Sequence, residues 1–394
     1  MYYKRLNAII PLYFQNYNGV TTMKRKLLCL LIALSLALSA TACGQANINE
    51  NTVSNTENTN EETATEPTSE HQTPTESSLE ETVTTDIMLT QYPVTVTDQA
   101  GREVTIDSEP AKLVSGYYIS SSLLIALDLD DKLVGIEAKA NKRPIYSLSA
   151  PELINLPNVG TAKEFDLEGC IALEPDLVIL PLKLKNTAET LEKLDIDVLY
   201  VNPENQELLT EMMTLIGTVT NTQEKTAQLM NFVEKQEATL ADILAKADAP
   251  SVYLAGNSSM LSTAGNAMYQ SDMITLAGGK NVAADITDTY WVEIDYEQLL
   301  SWNPDYIILA SDADYSVDDV LADPNLAECT AVKNEKVYQM PSKAEFWDSP
   351  VPSGILGSVW LATILHEDLF TTDDASAIID EYYETFYDFK YSEK

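Results

Sequence analysis

The chain has 394 residues, 45% of them hydrophobic, enough to bury the cores of two domains of ordinary size. Its 24 Lys and Arg stand against 61 Asp and Glu, for a formal net charge of −37. That balance excludes a nucleic-acid partner, because phosphate binding needs a basic footprint; otherwise it speaks of solubility and not of fold.

In chain order, the first feature is a leader. Lys24, Arg25 and Lys26 precede the apolar run 27–38 and the small residues Ser39, Ala40, Thr41 and Ala42. This reads as a secretory signal, too short for a transmembrane span, with Met23 as the expected start and residues 1–22 as an upstream extension. Cys43-Gly44 follows at once. The segment 1–42 therefore resembles an extended bacterial lipoprotein signal, and the resemblance implies lipid on Cys43 and an extracytoplasmic protein held at the cell membrane. Cys29 leaves with the signal, so the folded part keeps Cys170 and Cys329, expected as small buried hydrophobes and not as a disulfide framework.

Residues 43–90 are Asn, Thr, Ser, Glu and Pro with almost no branched or aromatic apolar residue. Such a segment cannot offset its ordering entropy and reads as a disordered acidic tether, with a reach of about 35–40 Å. Order begins with Val94-Thr95-Val96 and Val104-Thr105-Ile106, a hairpin around Asp98-Gln99-Ala100-Gly101. From Lys112 on, short apolar strands alternate with helical runs, so 91–220 is expected as one α/β lobe with a parallel sheet. One long helix breaks the rhythm at 221–248. Its signals are a capping box at Asn221-Thr222-Gln223-Glu224 and a stripe of Leu229, Phe232, Val233, Leu240 and Leu244. A second α/β series fills 249–394. The expected fold is thus two Rossmann-like lobes joined by one helix, with the ligand cleft between them.

The two halves share a signature. Asp166-Leu167-Glu168, six residues, then Pro175-Asp176 with Ile179-Leu180 matches Asp295-Tyr296-Glu297, six residues, then Pro304-Asp305 with Ile308-Leu309. Each copy reads as an Asp-capped short helix ended by Pro-Asp and followed by a buried strand, with its Glu in an exposed first turn.

With this repeat, and with Asp131-Lys132-Leu133-Val134-Gly135-Ile136, Leu276-Ala277-Gly278-Gly279-Lys280-Asn281 and Val332-Lys333-Asn334-Glu335-Lys336-Val337-Tyr338, the chain from about 94 to 370 resembles a known family. This family is the solute-binding proteins of ABC importers for siderophores, haem and cobalamin, the type with a rigid interlobe helix. The resemblance implies that Glu168 and Glu297 dock onto arginines of the permease, that the partners are ABC permease subunits and a small metal chelate, and that the protein acts as a monomer without a cofactor of its own.

Ligands of open α/β sheets sit beyond the carboxyl ends of the strands. In the first lobe the loops at those ends carry Tyr117, Tyr118, Lys139, Lys142, Arg143, Lys163, Lys183 and Lys185. In the second they carry Met260, Tyr290, Trp291 and Trp347. Bases facing aromatics suit a ligand with anionic edges and a flat or apolar body.

No catalytic residue is expected, because the only histidines are His71 in the tether and His366 at a helix end, and no nucleophile elbow, phosphate loop or zinc-protease helix is present. The same scarcity of histidine disfavours a bare transition metal as cargo, so no metal ligands are assigned. An Fe(III) siderophore is the first expectation, haem or cobalamin the next. The alternatives are an oxyanion such as molybdate or tungstate on the same fold, and a surface adhesin with no transport role.

Overall fold

The computed structural model describes residues 89–287 and 290–394; the leader, Cys43 and the tether up to residue 88 lie outside them. Val94–Thr97 (β1) and Glu103–Ile106 (β2) form the expected hairpin, with Val94 opposite Ile106 and Thr97 opposite Glu103. Asp98 closes its turn. One carboxylate oxygen accepts the N–H groups of Ala100 and Arg102, and the other takes the Arg102 guanidinium at 2.8 Å and the N–H of Tyr200. With Asp98 only 3% exposed, these five hydrogen bonds, two of them from the guanidinium, meet the need for compensation that burial imposes and tie the hairpin to the first sheet.

That sheet contains Leu113–Ser115 (β3), Leu133–Ile136 (β4), Leu177–Pro181 (β5) and Asp197–Val201 (β6), all parallel in the order β4-β3-β5-β6. All five residues of β5 are buried, and this explains why it reads as one apolar run and not as an alternation.

The long helix is Gln223–Leu244, 22 residues or about 33 Å. Leu229, Phe232, Val233 and Leu240 are buried along it as the stripe requires. The expected capping box is not formed. Asn221 adopts a left-handed backbone (φ 60), and its amide accepts the N–H of Thr90 at 2.9 Å and donates to Glu109 at 3.0 Å. Thr222 is the cap residue without a side-chain cap, its hydroxyl being paired with Thr220 at 3.0 Å. Competition from these longer-range partners displaced the local motif.

The second sheet is built from Ser251–Ala255 (β7), Ser262–Ala264 (β8), Lys280–Asn281 (β9), Trp291–Glu293 (β10), Tyr306–Leu309 (β11) and Val337–Gln339 (β12). Its order is β10-β8-β7-β11-β12, with β9 also on β7. The α/β class holds, with one addition: β8 runs antiparallel to both its neighbours, β7 and β10, so this sheet is mixed. The connection 256–261 between β7 and β8 is too short for a crossover helix, and only an antiparallel return is open to it.

After β12 the chain forms helices Ile355–Leu365 and Thr372–Tyr387. The last helix starts with a capping box made by Thr371 and Asp374 and packs against Tyr118–Ala126, the first helix after β3. Tyr387 reaches Ser122 of that helix at 2.9 Å. The C-terminal segment thus completes the core beside the first sheet as well as the second, and one buried apolar cluster runs through both.

Candidate functional site

A cleft of about 610 Å³ opens where the carboxyl ends of the two sheets' parallel strands meet. On the first-lobe side, the loop after β3 brings Tyr117 and Tyr118, whose rings meet edge to face at 5.4 Å. The loop after β4 brings Lys139, Lys142 and Arg143, and that after β5 brings Lys183. Local sequence explains the presentation of two of these. Lys139 holds a left-handed backbone (φ 70), an uncommon conformation for a side-chain-bearing residue, at the start of the short turn Ala140–Lys142. Arg143 precedes Pro144, which keeps it extended (φ −102, ψ 104) and out of the following helix.

The guanidinium of Arg143 lies over the Tyr118 ring at 3.8 Å from its centre and 5.7 Å from that of Phe346. Among the described residues, none of the four cations is within 4 Å of a carboxylate. Their charge is therefore available to something in the cleft.

The second-lobe wall carries Trp291, 43% exposed, with Gly256 beneath it. A β-carbon on Gly256 would meet the indole at 3.1 Å, so the glycine lets the ring lie close to the backbone. Asp312, Asn257 and the segment after β12 with Phe346 and Asp348 complete this side. Asp348 is buried and accepts the N–H of Ser311 at 3.0 Å; burial pushes its carboxyl above the ordinary range.

Of the ten residues expected at the ligand, Tyr117, Tyr118, Lys139, Arg143, Lys183 and Trp291 line the cleft. Four do not. Trp347 is 1% exposed, donates its indole N–H to the Tyr383 hydroxyl at 2.8 Å and packs on Tyr391, so it belongs to the core under the C-terminal helix. Met260 packs into the second sheet's core. Lys163 is exposed outside the lining, as is Lys185 among the other bases considered. Tyr290 is 48% exposed beside the lining and not in it. The lining residues missed from the sequence include Glu204, Asp312, Gln270 and Phe346.

Behind the first-lobe wall, two carboxyls flank the helix Tyr118–Ala126. Glu137 accepts hydrogen bonds from Ser121 at 2.6 Å and Tyr146 at 2.7 Å; Glu345, from the segment after β12, accepts them from Ser122 and from Ser353 at 2.6 Å. Burial raises both carboxyls above the ordinary range, opposed by these hydroxyls and by the charge of Arg143. The triple serine 120–122 thus serves as a polar hub that fixes the helix from which Tyr117 and Tyr118 reach the ligand space.

The duplicated signature is also duplicated in structure. Asp166 caps Leu167–Ala172 by accepting the N–H of Gly169 at 2.9 Å, and Asp295 caps Tyr296–Trp302 by accepting that of Gln298 at 2.8 Å. Glu168 and Glu297 are exposed in the two first turns. The residue before each proline, Glu174 or Asn303, has positive φ. Asp176 then accepts the N–H groups of Ala111 and Lys112, and Asp305 accepts the N–H and hydroxyl of Ser251, each pinning the start of its sheet's first parallel strand. Cys170 and Cys329 are free and buried in separate clusters.

Strands of two lobes converging on one polar cleft, with a single long helix in the chain between their sheets, define a solute-binding protein of the two-lobed type. The family profile described as periplasmic binding protein matches residues 113–344, and the chain belongs to that family. It is similar to the molybdate-binding protein MolA of Haemophilus influenzae, 28% identical over 320 residues that cover 74% of this chain and 90% of MolA. The structure of that protein bound to molybdate superposes with a TM-score of 0.67 at 26% identity, covering 76% of this chain and 99% of the other. A cobalamin-binding protein of Halobacterium salinarum is 26% identical over 252 residues, 63% of this chain and 66% of its own length. The chain is the extracytoplasmic substrate-binding component of an ABC transporter, and its relatives are binding proteins, not enzymes. That membership sets the adhesin reading aside. Among the described residues no helix is long and apolar enough to cross a membrane.

Proposed function

We propose that the cleft captures an anionic metal chelate, an Fe(III) siderophore first and haem or cobalamin next, and presents it to the permease. The observation that carries this reading is the wall of Lys139, Lys142, Arg143 and Lys183, unpaired with any carboxylate among the described residues, facing Trp291 across about 610 Å³. Sites for drug-sized ligands run to roughly 300–1,000 Å³, a range in which this cleft falls and of which a tetrahedral oxyanion fills only a small part. A chelate brings its own donors to the metal and asks the protein only for charge and a face to lie on.

The second reading, an oxyanion such as molybdate or tungstate, is favoured by the similarity to MolA over most of its length. Calorimetric titration with ferric hydroxamate, catecholate and hydroxycarboxylate complexes, haem, cobalamin, molybdate and tungstate separates the two. Tight binding of an oxyanion with no response to any chelate would overturn the first. Membrane attachment through lipid on Cys43 belongs to the same reading, and Cys43→Ser is expected to shift the protein from the membrane to the soluble fraction.

A further inference from the structure

The ionisable groups around the cleft are of both signs. The four cations come from loops of the first sheet, as does Glu204, in the connection that leaves β6; Asp312 and Asp348 come from loops of the second. Among the described residues no ion pair joins the two sets. Asp348 is already engaged by Ser311 and buried, so it asks nothing of a ligand. Glu204 and Asp312 differ from it. Glu204 lines the cleft, and its backbone carbonyl accepts the N–H of Tyr269 at 2.9 Å, at the start of helix Tyr269–Leu276. Asp312 is exposed, with the Asn257 amide at 3.5 Å.

On the outside of so acidic a chain two further carboxylates would mean nothing. Inside a cavity that gathers four cations they matter, because an all-anionic ligand would meet from these two carboxylates a repulsion that the cations do not exert. A neutral ligand, in turn, would desolvate both sets without pairing either.

Taking the cleft as a chelate site, we infer that its ligand is amphoteric. Its anionic donor oxygens face Lys139, Lys142, Arg143 and Lys183, and a protonated amine on the same ligand faces Glu204 and Asp312. This deepens the chelate reading by adding a positive edge to a class so far described only by its negative one.

The test uses ferric complexes of a citrate-based hydroxycarboxylate chelator that keeps a free amine, the same chelator acetylated at that amine, and molybdate, each titrated into the wild-type protein and into the Glu204→Gln, Asp312→Asn double variant. The amine form is expected to bind the wild type about tenfold tighter than the acetylated form, the scale of one charge-assisted hydrogen bond. The double variant is expected to bring the two within about twofold of each other, with an unchanged unfolding midpoint. Equal affinity of the two chelates for the wild type, or a difference that survives in the double variant, overturns the amphoteric ligand and leaves the chelate reading standing. Binding of molybdate alone overturns both.

Discussion

The Arg143 guanidinium lies over the Tyr118 ring at 3.8 Å, with the Phe346 ring, from the second lobe, at 5.7 Å. An always-charged group is held here by π faces where a carboxylate would have cancelled it. Arg143→Ala is expected to weaken an anionic ligand by about ten- to a hundredfold, and Arg143→Lys to recover little of the loss, because a lysine cannot stack as a planar fork does. Titration of each variant, with thermal unfolding as the control for folding, checks this. Unchanged affinity in Arg143→Ala would remove the residue from the ligand site.

Trp347 and Lys163 should behave as structure and surface, respectively. Trp347→Ala empties a packed position and orphans the Tyr383 hydroxyl, with an expected cost of about 3–5 kcal/mol in urea unfolding. Lys163→Ala should move neither stability nor binding. A variant at 347 that unfolds like the wild type but no longer binds would return the indole to the cleft.

Asp197 opens β6 beside other acids. Burial first, then the charges of Asp107, Glu192 and Asp176, raises its carboxyl from 3.8 to about 6. The folded state therefore holds this proton more tightly than the unfolded chain does. The stability so conferred is whole below the ordinary value and is lost as the pH climbs through about 6. Asp197→Asn should flatten that fall, leaving the variant more stable than the wild type at pH 7 and the gap closing towards pH 4. Urea midpoints across that range decide it, and a gap that widens on acidification would contradict the sign.

Glu168 and Glu297 stand exposed in matched first turns behind matched Asp caps. Replacing either by Ala is expected to lower uptake in cells, the double replacement more so, with the ligand affinity of the isolated protein unmoved and the effect weaker at high salt. Loss of affinity together with uptake would count against a docking role.

What the sequence reveals follows the range of the forces involved. The Asp caps, the Pro-Asp stops and the buried strand after each are local, and all appear where the repeat puts them. Arg143 and Lys139 could be found because bases are scarce in this chain and several fall at strand ends. Glu204 and Asp312 could not, since one more acid in a loop has no contrast against 61. Trp347 was misplaced for another reason. A tryptophan between a strand and a helix can point either way, and here Tyr383 and Tyr391, far along the chain, draw it inward. The capping box at Asn221 was lost in the same manner, to Thr90 and Glu109.

The hydrogen bond between Ser122 and Tyr387 spans 265 positions of sequence. A chain that emerges from its N-terminus forward delivers the helix bearing Tyr117 and Tyr118 early, and the helix that covers it last of all. The first lobe therefore cannot finish folding on its own: its apolar face must wait, uncovered, for the final helix to arrive. A truncation within Thr372–Tyr387 would therefore strip the cover from a helix that supports a cleft wall built from the opposite end of the protein.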